Sequence, residues 1–210
     1  MAHDDIPPAI PEDGWKHTGV GVVPPGLRID GALAQPGDAI IVSGTVGEHG
    51  VAVLSQRESL AFETAITSDT AALHTLVADM LRAVPQGLRV LRDPTRGGLA
   101  TTLNEIARQS RVGMALDETA IPVLPEVEAA CELLGLDPMY VANEGKLVAI
   151  CASDQAEALL AAMHAHPLGR RATCIGQVTE DAHHFVQMKT RFGGRRVVDW
   201  LTGEQLPRIC

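Results

Sequence analysis

Leu88-Arg89-Val90-Leu91-Arg92-Asp93-Pro94-Thr95-Arg96-Gly97-Gly98-Leu99 joins an apolar run to a helical one through a loop of proline, glycine and charge. Leu88 to Leu91 is short and branched enough to read as a strand, whereas Leu99, Leu103, Ile106 and Ala107 recur at helical spacing. A strand that exits directly into an amphipathic helix is the building unit of a sheet covered by helices.

The same alternation extends on both sides. Upstream, a compact succession of elements starts near Gly31, and Pro36-Gly37-Asp38 predicts a turn into the strand Ala39-Ile40-Ile41-Val42. Ser68-Asp69-Thr70 reads as a helix cap, with Leu73, Leu76, Val77, Met80, Leu81 and Val84 on one face and Pro85-Gln86-Gly87 as the stop. Downstream come a strand at Met114-Ala115-Leu116, a helix from Pro125 to Leu134 closed by Gly135, and a strand from Leu147 to Cys151. Ser153-Asp154 is expected to cap a helix carrying Ala156, Leu159, Leu160 and Met163. The last third, with β-like runs at 174–179, 185–189 and 195–200 and a turn at Phe192-Gly193-Gly194, predicts a closing meander. The expected class is α+β (mixed α/β), a mixed sheet covered by helices. One domain spans residues 31–202, preceded by a proline-rich segment 1–30 with an edge strand at Thr18 to Val23, and followed by a polar tail 203–210.

Composition narrows the function. A chain of 210 residues, 46% hydrophobic, can bury one sizeable core. A formal charge of -9 and 3% aromatic residues oppose a nucleic-acid groove, which needs clustered cations and stacking platforms. No apolar run reaches the roughly 18 residues of a membrane helix, and Met1-Ala2-His3-Asp4-Asp5 lacks the basic start of a signal peptide. The expected location is therefore cytoplasmic, with no membrane partner. Cys131, Cys151, Cys174 and Cys210 have neither CxxC pairing nor histidines at ligand spacing, so no metal site and no disulfide framework is expected.

Three loops and the tail are candidates for chemistry. Asp93, Thr95, Arg96, Gly97 and Gly98 precede a helix, whose free N–H groups attract phosphate; the alternative is a plain turn capped by Asp93. Ser43-Gly44-Thr45-Val46-Gly47-Glu48-His49-Gly50 also follows a strand but lacks the Lys-Ser or Lys-Thr of a P-loop; His49 is a candidate contact or a loop histidine. In Asn143-Glu144-Gly145-Lys146, Glu144 is a candidate general base if desolvated, against an exposed turn with a Glu and Lys pair. The tail Gly203-Glu204-Gln205-Leu206-Pro207-Arg208-Ile209-Cys210 ends in a thiol, and eight extended residues reach roughly 26 Å, enough for a swinging arm. Prenylation requires a cysteine four places from the end, which Cys210 is not.

The runs Leu91 to Ala100, Tyr140 to Leu147 and Leu206-Pro207-Arg208-Ile209-Cys210 together resemble the HypE family of hydrogenase maturation factors, from about Thr18 to Cys210. That family resembles the wider aminoimidazole-ribonucleotide synthetase and selenophosphate synthetase superfamily, whose members activate an oxygen by phosphorylation. The resemblance implies ATP-dependent dehydration of a carbamoyl group on Cys210 to a thiocyanate, the source of cyanide for hydrogenase iron. It implies Cys210 as carrier, Glu144 as base, and Asp93, Thr95, Arg96, Gly97, Gly98, Asn143 and His49 as substrate or phosphate contacts. Implied partners are a carbamoyltransferase maturation enzyme, an iron-carrying maturation complex and a second copy of the full-length protein. ATP and magnesium belong to a preceding domain, of which segment 1–30 is expected to be a remnant, so this chain alone is expected to bind neither. The alternative is a non-catalytic carrier that presents Cys210 to partner enzymes; a selenophosphate synthetase relative would have no use for a terminal Pro-Arg-Ile-Cys.

Overall fold

The computed structural model describes residues 22–57 and 66–201. Seven strands form one sheet: β1 (Ala39–Val42), β2 (Leu88–Arg92), β3 (Gly113–Asp117), β4 (Val148–Cys151), β5 (Thr173–Thr179), β6 (Val186–Lys189) and β7 (Arg195–Val197). Their spatial order is β2-β4-β1-β5-β3-β6-β7. Helices α1 (Glu48–Arg57), α2 (His74–Ala83), α3 (Gly98–Ser110), α4 (Pro125–Leu134) and α5 (Ala156–Ala165) accompany it. The mixed sheet with helices is as expected; among the described residues β3 with β6 is the one parallel pairing.

Successive strand residues point to opposite faces, and here both faces are covered. Ile40 and Val42 of β1 join Val90, Val148 and Ile150 under Leu99, Leu103 and Ile106 of α3. Ala39 and Ile41 face the other way, with Ala149 and Cys151, against Leu76 and Met80 of α2 and Leu159 and Met163 of α5. Double burial explains why β1 and β4 read as unbroken apolar runs instead of alternating ones. A smaller cluster joins Val51 of α1 to Val127, Ala130 and Cys131 of α4 and to Val141.

Register places the loops. Val42 pairs with Val148 across β1 and β4, and Arg92 pairs with the same Val148 across β2 and β4. Because β4 runs antiparallel to both neighbours, the exits of β1 and β2 and the entry of β4 lie at one end of the sheet.

Three local expectations are corrected. Strands β5, β6 and β7 are no meander: β1 and β3 occupy both edges of β5, so β6 pairs in parallel on the far side of β3 and only β6 and β7 form a hairpin. Ser68, Asp69 and Thr70 do not cap α2, which starts after Leu73 without a side-chain cap. Ser153 does not cap α5 either; it begins a single 3-10 turn and its hydroxyl donates to the Gly37 carbonyl. Of the expected strand at 18–23, residues 18–21 lie outside the described residues, while Val22 and Val23 are exposed and in no strand.

The buried thiols give a stability prediction. Burial pushes Cys131 and Cys151 up to about 11. The unfolded chain releases these protons near the ordinary thiol value, so it binds fewer protons than the folded chain between about pH 9 and 11. Stability contributed by the two thiols is therefore complete below that window and falls as pH rises through it, by on the order of 2 kcal/mol per thiol. Urea midpoints at pH 8 and 10.5 are expected to differ less for Cys151→Ala than for the parent chain.

Candidate functional site

Loops 43–47, 93–97 and 143–147 meet at the shared end of β1, β2 and β4, and Asn143 joins them. Its side chain is fully buried. Oδ1 accepts from Gly47 N–H at 2.8 Å, while Nδ2 donates to the carbonyls of Pro94 at 3.1 Å and Val141 at 3.0 Å. Its own N–H donates to the Pro94 carbonyl, also at 3.1 Å. Gly98, at φ +60°, packs so closely on the 139–141 backbone that a Cβ would stand 2.6 Å from the carbonyl oxygens of Met139 and Val141. A side chain here would lift the start of α3 off the loop that carries Glu144.

Beside this junction lies a polar cavity of about 430 Å³ lined by Arg92, Asp93, Thr95, Arg96, Thr102, Glu105 and Glu144. Arg92 is ion-paired with Glu105 across the strand and helix. Arg96 is exposed and forms no ion pair with the described residues. Asp93 is exposed and does not cap α3, whose cap is Gly97 at φ +69° with no side-chain hydrogen bond. The Gly98 N–H is taken by the Thr95 carbonyl, and Gly98, Leu99 and Ala100 are buried, so attraction of an anion to the cavity rests on Arg96, with Arg92 paired to Glu105.

Behind Glu144 stands a buried ion cluster. The Glu144 N–H donates to Asp69 Oδ1 at 3.1 Å. Lys146 Nζ lies 3.2 Å from Asp69 Oδ2 and 3.3 Å from Glu48 Oε1. Thr45 donates to the same Glu48 oxygen. The side chains of Asp69, Glu48 and Lys146 are 2%, 8% and 13% exposed.

The far end of the sheet is fastened to the same region. Asn104 Nδ2 donates to the Val198 carbonyl at 2.9 Å, and the Tyr140 hydroxyl donates to the Asp199 carbonyl at 3.0 Å. Burial, then the nearby Asp137 charge, raises the Tyr140 phenol above its ordinary value. The last described residues therefore run beside α3 and the turn that leads to Asn143.

Residues 35–189 match the family model of the AIR synthase related protein, C-terminal domain. The carbamoyl dehydratase HypE of Cupriavidus necator is 76% identical over 92% of this chain and 55% of its own length. The chain belongs to the HypE family. A solved hydrogenase maturation protein HypE in complex with ATP superimposes with a TM-score of 0.81 at 46% identity, covering 87% of this chain and 55% of that one. HypE in a HypE-HypF complex gives 0.78 at 42% identity, over 82% and 55%. The chain spans about half the length of the HypE relatives it matches.

In this chain, the structure brings Asp93, Thr95, Arg96 and Glu144 to one cavity, with Gly97 and Gly98 forming the turn behind them. Asn143 does not line it: its amide is occupied by backbone groups. His49 sits on α1, its Nδ1 2.8 Å from Ser68 Oγ, and does not line it either. Cys210 and the tail 203–210 lie outside the described residues. The reading of 143–146 as a solvated Glu and Lys turn is overturned, since Lys146 turns inward to two carboxylates. Sequence reading missed Thr102, Glu105, Glu48 and Asp69; the one local signal was Gly145, set between two charges where a solvated turn needs no glycine. A Cβ on Gly145 would lie 1.7 Å from the Asp69 carbonyl oxygen.

Replacing Asn143 with leucine, of similar volume, leaves the Gly47 N–H and the Pro94 and Val141 carbonyls without the amide. Each unpaired buried group costs about 1–3 kcal/mol. The Pro94 carbonyl keeps the backbone N–H of residue 143, so Asn143→Leu is expected to lower the unfolding free energy by at least about 2 kcal/mol, read from urea denaturation.

Proposed function

We propose that this chain supplies the carrier thiol and the base of an ATP-dependent carbamoyl dehydratase that makes cyanide ligands for nickel-iron hydrogenase. The observation that carries the proposal is the cavity that Glu144 lines together with Asp93, Thr95 and Arg96. A carboxylate in one cavity with the Arg96 guanidinium pairs a proton acceptor with a site for a phosphoryl group, the two functions that dehydration of an amide needs.

The amide oxygen of an S-carbamoyl group is a poor leaving group. Transfer of a phosphoryl group to it, with loss of one nitrogen proton, gives an O-phosphorylated imidate; loss of the second proton then forms the C≡N bond as the C–O bond breaks and phosphate departs. Glu144 takes the nitrogen protons, while Arg96 stabilises the departing phosphate. The nine residues that follow Leu201 end in Cys210. At full extension they reach roughly 30 Å, so a tail rooted beside Tyr140 can deliver Cys210 to this cavity.

ATP as co-substrate is supported by the ATP-bound relative, and docking to a second maturation protein by the HypE-HypF complex. On the resemblance that partner transfers the carbamoyl group and an iron-carrying complex receives the cyanide. Among the described residues no three His, Cys, Asp or Glu side chains converge on a metal position. No helix among them is long and apolar enough to cross a membrane.

The test joins this chain to the N-terminal portion of the Cupriavidus necator relative and supplies a carbamoyl donor system and ATP. Mass spectrometry of the C-terminal peptide is expected to show carbamoyl and then thiocyanate on Cys210. A thiocyanate adduct on the Cys210→Ala protein removes the carrier assignment. Glu144→Gln is expected to accumulate the carbamoyl form, with dehydration slowed about 100-fold or more. Stoichiometric carbamoylation without ATP turnover by the parent hybrid would instead mark a carrier module.

A further inference from the structure

We infer that Asp69 is a positioning residue for Glu144, holding the base in place through its backbone and through the buried Lys146 and Glu48 cluster. The inference rests on the base role proposed for Glu144.

Glu144 is the one residue of 143–146 that lines the Asp93 to Arg96 cavity, and each of its neighbours is fixed from behind. On one side Asn143 is held by four hydrogen bonds to loops 43–47, 93–97 and its own strand lead-in. On the other side Gly145 abuts the Asp69 backbone, with no room for a Cβ. Lys146 then turns inward to Asp69 and Glu48. Asp69 contacts this segment three times: its carbonyl against Gly145, Oδ1 on the Glu144 N–H at 3.1 Å, and Oδ2 near Lys146 Nζ at 3.2 Å.

Two carboxylates share one ammonium in this cluster. Among the described residues Glu48 Oε2 has no hydrogen-bond partner, and Asp69 Oδ2 has the Lys146 charge but no well-formed hydrogen bond. A buried ion cluster that is incompletely paired contributes little to stability, because desolvation offsets attraction. Its use is to fix geometry. Placement of a base within a fraction of an ångström matters because a shift of about 1 Å can reduce rate 100-fold.

Segment 68–70 is itself tethered to α1. His49 Nδ1 lies 2.8 Å from Ser68 Oγ, which lies 2.7 Å from Thr70 Oγ1 and accepts from the Thr70 N–H. Ser68, Asp69 and Thr70 thus form a buttress between α1 and Glu144, the place in the fold where a helix cap was expected.

The experiment uses the hybrid protein described above and measures kcat and KM for ATP-dependent dehydration of the carbamoylated form. Asp69→Ala is expected to lower kcat about ten-fold to 100-fold with KM for ATP within two-fold. Asp69→Asn, which keeps an oxygen for the Glu144 N–H, is expected to recover at least half of that loss on a logarithmic scale. Should the alanine variant fail to fold, Asp69→Glu replaces it: the charge for Lys146 remains while the oxygen holding Glu144 moves by one methylene, and the same kcat loss is expected. Wild-type kcat in Asp69→Ala or Asp69→Glu overturns the inference, as does an asparagine variant no better than alanine. Glu144→Gln run in parallel separates the two levels. If it dehydrates at the parent rate, the base assignment falls; if it is inactive while Asp69→Ala is fully active, only the inference about Asp69 falls.

Discussion

The buried amide of Asn143 is the constraint on which the site depends. Loops 43–47, 93–97 and 143–147 are far apart in sequence, and one side chain accepts from the first and donates to the second while standing in the third. An Asn is suited to this because its Oδ1 and Nδ2 offer acceptor and donor at once, matching one N–H and two carbonyls. An aspartate would present only acceptors to those carbonyls. The geometry around Glu144 is therefore set by backbone groups, which cannot drift without leaving buried polar atoms unpaired.

Sheet topology makes that junction possible. With β4 antiparallel between β1 and β2, and Val148 opposite both Val42 and Arg92, two strand exits and one strand entry converge. In an all-parallel sheet the lead-in to β4 would sit at the opposite end from the two exits. Glu144 would then be separated from the α3 amide end by the length of a strand.

Much of the fold was legible because burial on both faces leaves unmistakable apolar runs. Ala39 to Val42, Leu88 to Leu91 and Leu147 to Cys151 announce strands, and Leu99, Leu103 and Ile106 announce the helix that covers them. Pairing order was not legible: the short link between β5 and β6 looks like a hairpin, yet six residues also suffice to step across β3, since strands are about 4.8 Å apart. Ser68-Asp69-Thr70 is the instructive case. Its residue types favour a helix cap, and the same short polar side chains equally well accept backbone hydrogens from another loop. Tertiary contact with Glu144 and Gly145 selected the second use.

The candidate site was legible as separate pieces. Asp93 to Gly98 and Asn143 to Lys146 stand out by composition, and their meeting at one cavity follows from register, which no local pattern encodes. The sign of Lys146 was the hardest to foresee. An ammonium two places after a glutamate in sequence suggests a solvated pair, but the chain bends at residues 144 and 145, and the glycine between the two charges is pressed on another backbone. Glu144 lines the cavity while Lys146 serves two buried carboxylates. Two buried carboxylates hold the Lys146 ammonium from behind the loop, and Glu144 shares its cavity with Arg96, the residue proposed to meet the phosphate.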